Sequence, residues 1–151
     1  MTATKSKKDP VSKRGIGGSI NPSFGLNLTM NAIIPIFRIF DYQKAIEFYV
    51  DWLGFTIAWE HQFEPGMPVY MEVRRDGLRL HLSEHHGDAT PGSKALVEWP
   101  DVRSYCDWLS AKQYKYYRPS AEETFWNSLA MNVIDPFGNH LTFYQELVKG
   151  E

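Results

Sequence analysis

The chain has a single cysteine, Cys106. No internal disulfide can form, and a paired-cysteine metal or redox site is excluded. On a predicted helical stripe this thiol reads as packing. There is no run of about 18 apolar residues, so no membrane-spanning helix is expected, and the first residues lack the apolar stretch of a secretory signal. A basic excess is also missing, with 16 Lys and Arg against 18 Asp and Glu. Residues 1–29 hold five of those bases (Lys5, Lys7, Lys8, Lys13, Arg14) and one acid (Asp9), which leaves 11 bases against 17 acids, about −6, for the remainder. That balance argues against nucleic acid as a partner. With no membrane element, the expected location is the cytoplasm.

What the chain does have is enough apolar content, 43% of 151 residues, to bury one sizeable core. Residues 1–29, rich in Lys, Gly and Ser, read as a flexible basic tail. From there the pattern is one module written twice. In the first copy, residues 32–40 read as a strand, and Asp41 caps a helix from Tyr42 to Leu53 that Gly54 stops. Strands follow at Phe55 to Phe63, Val69 to Arg74 and Leu78 to Ser83, the last two joined by an Asp76-Gly77 hairpin turn.

The second copy has a strand at Lys94 to Trp99 and a helix capped by Asp101, with Val102, Tyr105, Cys106 and Leu109 on one stripe. A short strand near Tyr116 comes next, then Leu129 to Ile134, the turn at Asp135 to Asn139, and His140 to Leu147. Asp41 and Asp101 lie 60 positions apart and His81 and Thr142 lie 61 apart, so the repeat holds from end to end. Neither copy alone has core enough, a physical reason to pair them. The division read from this is a tail at 1–29, modules at 30–84 and 93–147, a polar linker at 85–92 and a short tail at 148–151.

Four segments carry a resemblance: Asp41-Tyr42-Gln43-Lys44-Ala45-Ile46-Glu47-Phe48-Tyr49, Leu53-Gly54-Phe55, Asp76-Gly77-Leu78-Arg79-Leu80-His81-Leu82 and Asp135-Pro136-Phe137-Gly138-Asn139. In that order and spacing the chain resembles the vicinal oxygen chelate superfamily over about residues 32–147. This group includes glyoxalases, extradiol dioxygenases, fosfomycin resistance enzymes and bleomycin resistance proteins. The resemblance implies an α+β fold of two tandem βαβββ modules whose sheets curl around a shared cleft, usually in a homodimer. In metal-dependent members each module gives one ligand from its first strand and one from its last. The matching positions here are Ile34, His81, Lys94 and Thr142, of which only His81 is a credible donor. No metal and no other cofactor is therefore expected.

Strand alternation, anchored on an inward His81, partitions the remaining side chains. Arg79 and Ser83 share the face of His81, and Leu80 and Leu82 turn to the helices. Arg38, Tyr70, Glu72, Arg74, Lys94, Leu96, Glu98, His140, Thr142 and Tyr144 face inward, with Asn132 from the seventh strand. The candidate ligand-binding set is Arg38, Tyr70, Glu72, His81, Glu98, Trp126, Asn132 and Thr142. Glu72 and Glu98 are there to pair with an amine and the aromatics to stack on planar rings. Trp126 either stacks on ligand or packs across a dimer. His81 is a cleft hydrogen-bonder, a satisfied structural histidine or the remnant of a metal or acid/base site. Trp59, His61 and Phe63 share one face of the second strand and read as core. No catalytic residue is assigned.

The expected function is binding: sequestration of a cationic aromatic antibiotic, unaltered, as the resemblance to the bleomycin resistance type implies. The alternative is a superfamily enzyme, a lyase or dioxygenase, using the same cleft. A third possibility is a structural or regulatory dimer with a vestigial cleft.

Overall fold

The computed structural model describes residues 30–149, so the tail expected over residues 1–29 lies outside the described residues. The fold is that of the unit Ile33–Glu151. Its elements run β1 (Ile36–Arg38), α1 (Tyr42–Ala45) continuing as a π-helical segment (Ile46–Trp52), β2 (Thr56–Gln62), β3 (Val69–Arg75), β4 (Leu78–Ser83), β5 (Lys94–Glu98), α2 (Val102–Ala111), β6 (Glu122–Glu123), β7 (Ser128–Ile134) and β8 (His140–Glu146).

The strands form two four-stranded mixed sheets, ordered β1-β4-β3-β2 and β5-β8-β7-β6. The first strand of each half pairs parallel to the last, and the other pairs are antiparallel. This is the duplicated α+β architecture that the repeat predicts. One face of each sheet is apolar and packs on the helices. Phe37, Met71, Val73, Leu80 and Leu82 come from the first sheet, and Val97, Leu129, Met131, Val133, Leu141 and Phe143 from the second. They join Phe48, Tyr49, Trp52, Val102, Tyr105, Cys106 and Leu109 in one core.

Local chemistry sets the helix limits. Asp41 accepts from the Lys44 backbone N–H at 2.9 Å, and Asp101 accepts from Ser104 N–H at 2.9 Å and Ser104 Oγ at 2.6 Å. Each cap satisfies a donor that the first helical turn leaves open. The π-helical widening carries the bulky Phe48, Tyr49 and Trp52 into the core together. Tyr49 donates to Asp135 Oδ2 at 2.6 Å, tying this helix to the turn before β8. Asp135 also accepts from Phe137 N–H, Asn139 N–H and Asn139 Nδ2, so it is a turn residue, as read from sequence. Burial pushes the Tyr49 phenol up, with the Asp135 charge adding to it. Tyr49→Phe should lower unfolding stability by about 1–2 kcal/mol, measured in urea, because it removes one buried charge-assisted hydrogen bond.

Three expectations need correction. The first strand is Ile36–Arg38 rather than residues 32–40, because Pro35 has no N–H to give the ladder and Phe40 is already exposed beside the Asp41 cap. No strand forms near Tyr116. Instead Tyr114 and Tyr117 are drawn onto Trp52, with ring centroids 4.9 and 5.7 Å away, and the edge strand is displaced to Glu122–Glu123. Trp59, His61 and Phe63 are not core. A register shift between Ile57 and Trp59 sets Trp59 opposite Glu72 and His61 opposite Tyr70, on the face away from the helices.

Candidate functional site

Each sheet turns its second face outward, and most of the candidate residues stand on these two faces. On the first sheet the register builds a short grid. Ile36, His81, Glu72 and Trp59 lie in one row; Arg38, Ser83, Tyr70 and His61 lie in the next; Arg79, Arg74 and Thr56 flank the other side. On the second sheet the rows are Leu96, Thr142 and Asn132, and Glu98, Tyr144 and Ala130.

At the centre of the first face lies Glu72, whose side chain has no solvent exposure. Its carboxylate accepts from Arg79 Nη2 at 2.9 Å, from His81 Nε2 at 2.8 Å and from Arg74 Nε. Desolvation pushes its pKa up, but the hydrogen bonds from Arg79, His81 and Arg74 outweigh that and bring it down to about 2. The expectation that Glu72 pairs with an incoming amine is therefore corrected, because its lone pairs are already taken by three cationic or cation-forming groups of its own sheet.

His81 is engaged at both ring nitrogens. Tyr70 Oη lies 2.7 Å from Nδ1, and Nε2 lies 2.8 Å from Glu72. A neutral imidazole satisfies both, with the Tyr70 hydroxyl donating to Nδ1 and Nε2–H donating to Glu72. Burial, then the charges of Asp88 and Glu72, raise the Tyr70 phenol pKa, so Tyr70 stays a donor. The Trp59 indole stacks on the Tyr70 ring, with centroids 5.8 Å apart and planes 7° off parallel. Trp59 is 40% exposed, which leaves an aromatic platform open to a planar ligand.

The remaining candidates are more scattered. Arg38 reaches the Ser83 carbonyl and lies 4.8 Å over the Phe40 ring. Thr142 Oγ1 donates to Asn132 Oδ1 at 2.9 Å. Glu98 is exposed and touches the Tyr144 hydroxyl. Trp126, in the loop between β6 and β7, is half-exposed with its edge on Phe125, apart from the others. Thus Tyr70, Glu72 and His81 are brought into contact, as are Asn132 and Thr142, while Arg38, Glu98 and Trp126 stand separately. Trp59 was missed because the irregularity in β2 breaks strict alternation. Arg74 and Arg79 were placed on the correct face, yet nothing in their spacing revealed that both reach one carboxylate.

A divalent metal does not fit this donor set. The register puts Ile36 beside His81 and Leu96 beside Thr142, so the first-strand residues directly paired with these two positions are aliphatic. Lys94 offers an ammonium, and both His81 nitrogens are engaged. Among the described residues no group of three or more His, Cys, Asp or Glu side chains is arranged to hold an ion. Also among them, no helix is long and apolar enough to cross a membrane.

Comparison with known proteins places this geometry. The crystal structure of a bleomycin resistance determinant encoded on transposon Tn5 superposes with a TM-score of 0.62 at 19% identity, over 78% of this chain and 98% of that one. A bleomycin-binding protein complexed with bleomycin gives 0.60 at 19% identity, over 78% and 99%. A glyoxalase/bleomycin resistance protein from Streptomyces sp. CB03234 gives 0.58 at 23% identity, over 74% and 97%. Among curated protein sequences nothing matches. At these identities the structures establish the fold alone. A family profile described as "Glyoxalase superfamily protein" matches residues 20–151, and the chain belongs to the glyoxalase superfamily.

Proposed function

We propose that this chain is a metal-free small-molecule-binding protein of the bleomycin resistance type, which sequesters an aromatic, cationic ligand without altering it. The observation that carries the reading is the state of His81: the one plausible metal donor has both nitrogens engaged by Tyr70 and Glu72. Without a Lewis acid the face is suited to holding rather than to the chemistry of metal-dependent relatives. The Trp59–Tyr70 platform supplies stacking area, and the exposed Glu98 replaces Glu72 as the carboxylate that meets a positive charge. A homodimer in the cytoplasm is part of the proposal. Ile36 and Leu96 leave apolar area on the open faces that a second copy would cover.

Two measurements test it. Protein purified after growth with added metals should contain far less than one equivalent of zinc, nickel, iron or manganese, and a stoichiometric ion would overturn the reading. Titration with copper-free bleomycin should give heat and a tryptophan fluorescence change, with Trp59→Ala weakening binding by about tenfold through lost stacking. Silence at high micromolar drug would remove the antibiotic and leave the metal-free site standing.

One observation favours a second reading. Tyr70, His81 and Glu72 form a hydroxyl–imidazole–carboxylate chain, the order used in general acid–base catalysis. Turnover of a small substrate that is lost in His81→Gln would select the superfamily enzyme instead.

A further inference from the structure

On the helix-bearing side, apart from the open sheet faces, a cavity of about 320 Å³ lies between the first helix, the segment around Tyr114–Tyr117 and the turn at Ile134–Pro136. Its volume falls at the small end of the roughly 300–1,000 Å³ typical of ligand pockets. Three charged side chains line it, of which Asp135 is taken up by Tyr49 and its own turn. From its walls and the other two, Lys44 and Glu47, we infer that it is a second binding site, for a free aromatic α-amino acid.

The walls are fixed before any ligand arrives. Tyr114 stacks on the buried Trp52 with centroids 4.9 Å apart and planes 23° off parallel, and it meets Phe48 edge-on at 6.2 Å. Tyr117 packs on the same indole and donates its hydroxyl to the Asn132 carbonyl at 2.9 Å. Tyr116 stands at 80° to Tyr114 with centroids 5.5 Å apart, yet remains 66% exposed. Two aromatic rings at right angles, one rigid and one open to water, make a corner that accepts a third ring edge-on to one and flat on the other.

The charges select what that ring carries. Lys44 and Glu47, three positions apart at the start of the first helix, both line the cavity. Among the described residues neither side chain makes a hydrogen bond or an ion pair, with the other or with any neighbour. The Lys44 ammonium and the Glu47 carboxylate, which feels the Lys115 charge without forming an ion pair with it, complement a zwitterion at the mouth of an aromatic pocket, its carboxylate on Lys44 and its ammonium on Glu47. The Glu47 charge reaches into the pocket: burial first, and that charge second, push the Tyr114 phenol up to about 12, so its hydroxyl remains a donor. Glu47 and Phe48 also lie in the π-helical segment Ile46–Trp52, an irregularity that occurs frequently at functional sites.

The test pairs deletions on the ligand with deletions on the protein. L-Phenylalanine, phenethylamine (no carboxylate) and 3-phenylpropanoate (no ammonium) are titrated into the full chain and into Lys44→Gln and Glu47→Gln, followed by calorimetry and by saturation transfer in NMR. Phenylalanine should bind, and each variant should weaken it by about tenfold, the scale of one charge-assisted hydrogen bond. Lys44→Gln should leave phenethylamine unchanged, and Glu47→Gln should leave 3-phenylpropanoate unchanged. Tyr116→Ala, at a half-exposed side chain that leaves the core intact, should abolish all three. No phenylalanine binding at about 10 mM, weaker than any metabolite site requires, or a uniform loss across the three probes in either charge variant, would overturn the inference. Bleomycin titration of the same variants separates this pocket from the sheet-face reading, which the proposal does not need.

Discussion

Glu72→Gln should destabilise the fold by about 2 kcal/mol and flatten its acid denaturation. A buried pair broken at one partner typically loses about 3–5 kcal/mol, but exposed pairs are worth about 1 kcal/mol or less. Glu72 lies between these cases. Its carboxylate is inaccessible, yet it is sealed by the side chains of Arg74 and Arg79, which are themselves 52% and 43% exposed, rather than by depth in the core. Those guanidiniums can turn to water when the charge goes, and the one remaining amide oxygen can still accept from His81, which is only 16% exposed, but the new NH2 is set among donors and cannot accept from them.

The pH dependence has a definite sign. Desolvation raises the Glu72 pKa but is outweighed by the bonds from Arg79, His81 and Arg74, so the folded value, about 2, lies below the ordinary carboxylate value of 4.5. The folded state therefore binds this proton less readily than the unfolded chain. The stabilisation is present in full above the unfolded pKa and fades as pH falls from about 4.5 towards 2. Urea midpoints between pH 7 and pH 2.5 should fall more steeply for the native chain than for Glu72→Gln. Parallel curves would mean that the carboxylate titrates normally and that the cluster is ornamental to stability.

The contrast between Leu80 and Glu72 shows how much of this was legible in the sequence. Alternation from one anchor sufficed to send Leu80 and Leu82 to the helices and His81 and Arg79 to the opposite face, because a strand's period is two and one side is buried. The Asp41 and Asp101 caps, the Gly54 stop and the Val102-Tyr105-Cys106-Leu109 stripe were equally local, each decided within a turn or two of chain. The state of Glu72 was not local. It depends on Arg74 two residues along the same strand, on Arg79 and His81 of the next, and on which rotamers let all three meet one carboxylate. Trp59 escaped for a related reason, since a single extra residue in β2 inverts every later side chain of that strand. The helix-side pocket was hidden because its walls come from the first helix, the segment after α2 and the turn before β8, which only the assembled core brings together.

Gly54→Ala should be the most damaging alanine substitution among the described glycines, with a loss of about 3–4 kcal/mol and a fall in Tm of about 10 °C. Gly54 ends the first helix at φ +80°, where an L side chain is strained by about 1–2 kcal/mol. Space adds to that. A Cβ here would meet the Trp108 ring at 2.8 Å and overlap the Arg75 guanidinium. The Trp108 ring is 43% exposed and can tilt away, but doing so disturbs its stacking under the Arg75 and Lys112 charges. Arg75 can move, but it is the clamp that closes the helix end. It donates to the Leu53 carbonyl, which also accepts from Tyr105 Oη at 2.8 Å, and lies 4.5 Å from the Tyr105 ring and 4.7 Å from that of Trp108. Lys112 closes the preceding carbonyls, donating to Asp51 O and Trp52 O at 2.7 Å each. Moving Arg75 therefore forfeits a hydrogen bond from a charged donor, worth about 1.5–3 kcal/mol, and part of the cation–π contact. A double-mutant cycle gives the decisive measurement. If Gly54→Ala acts by expelling Arg75, then adding Arg75→Ala should cost at least about 1 kcal/mol less in the Gly54→Ala background than in the native one. Strict additivity would show that the methyl does not act by displacing Arg75, and a Tm loss of under about 3 °C that the helix end accommodates it.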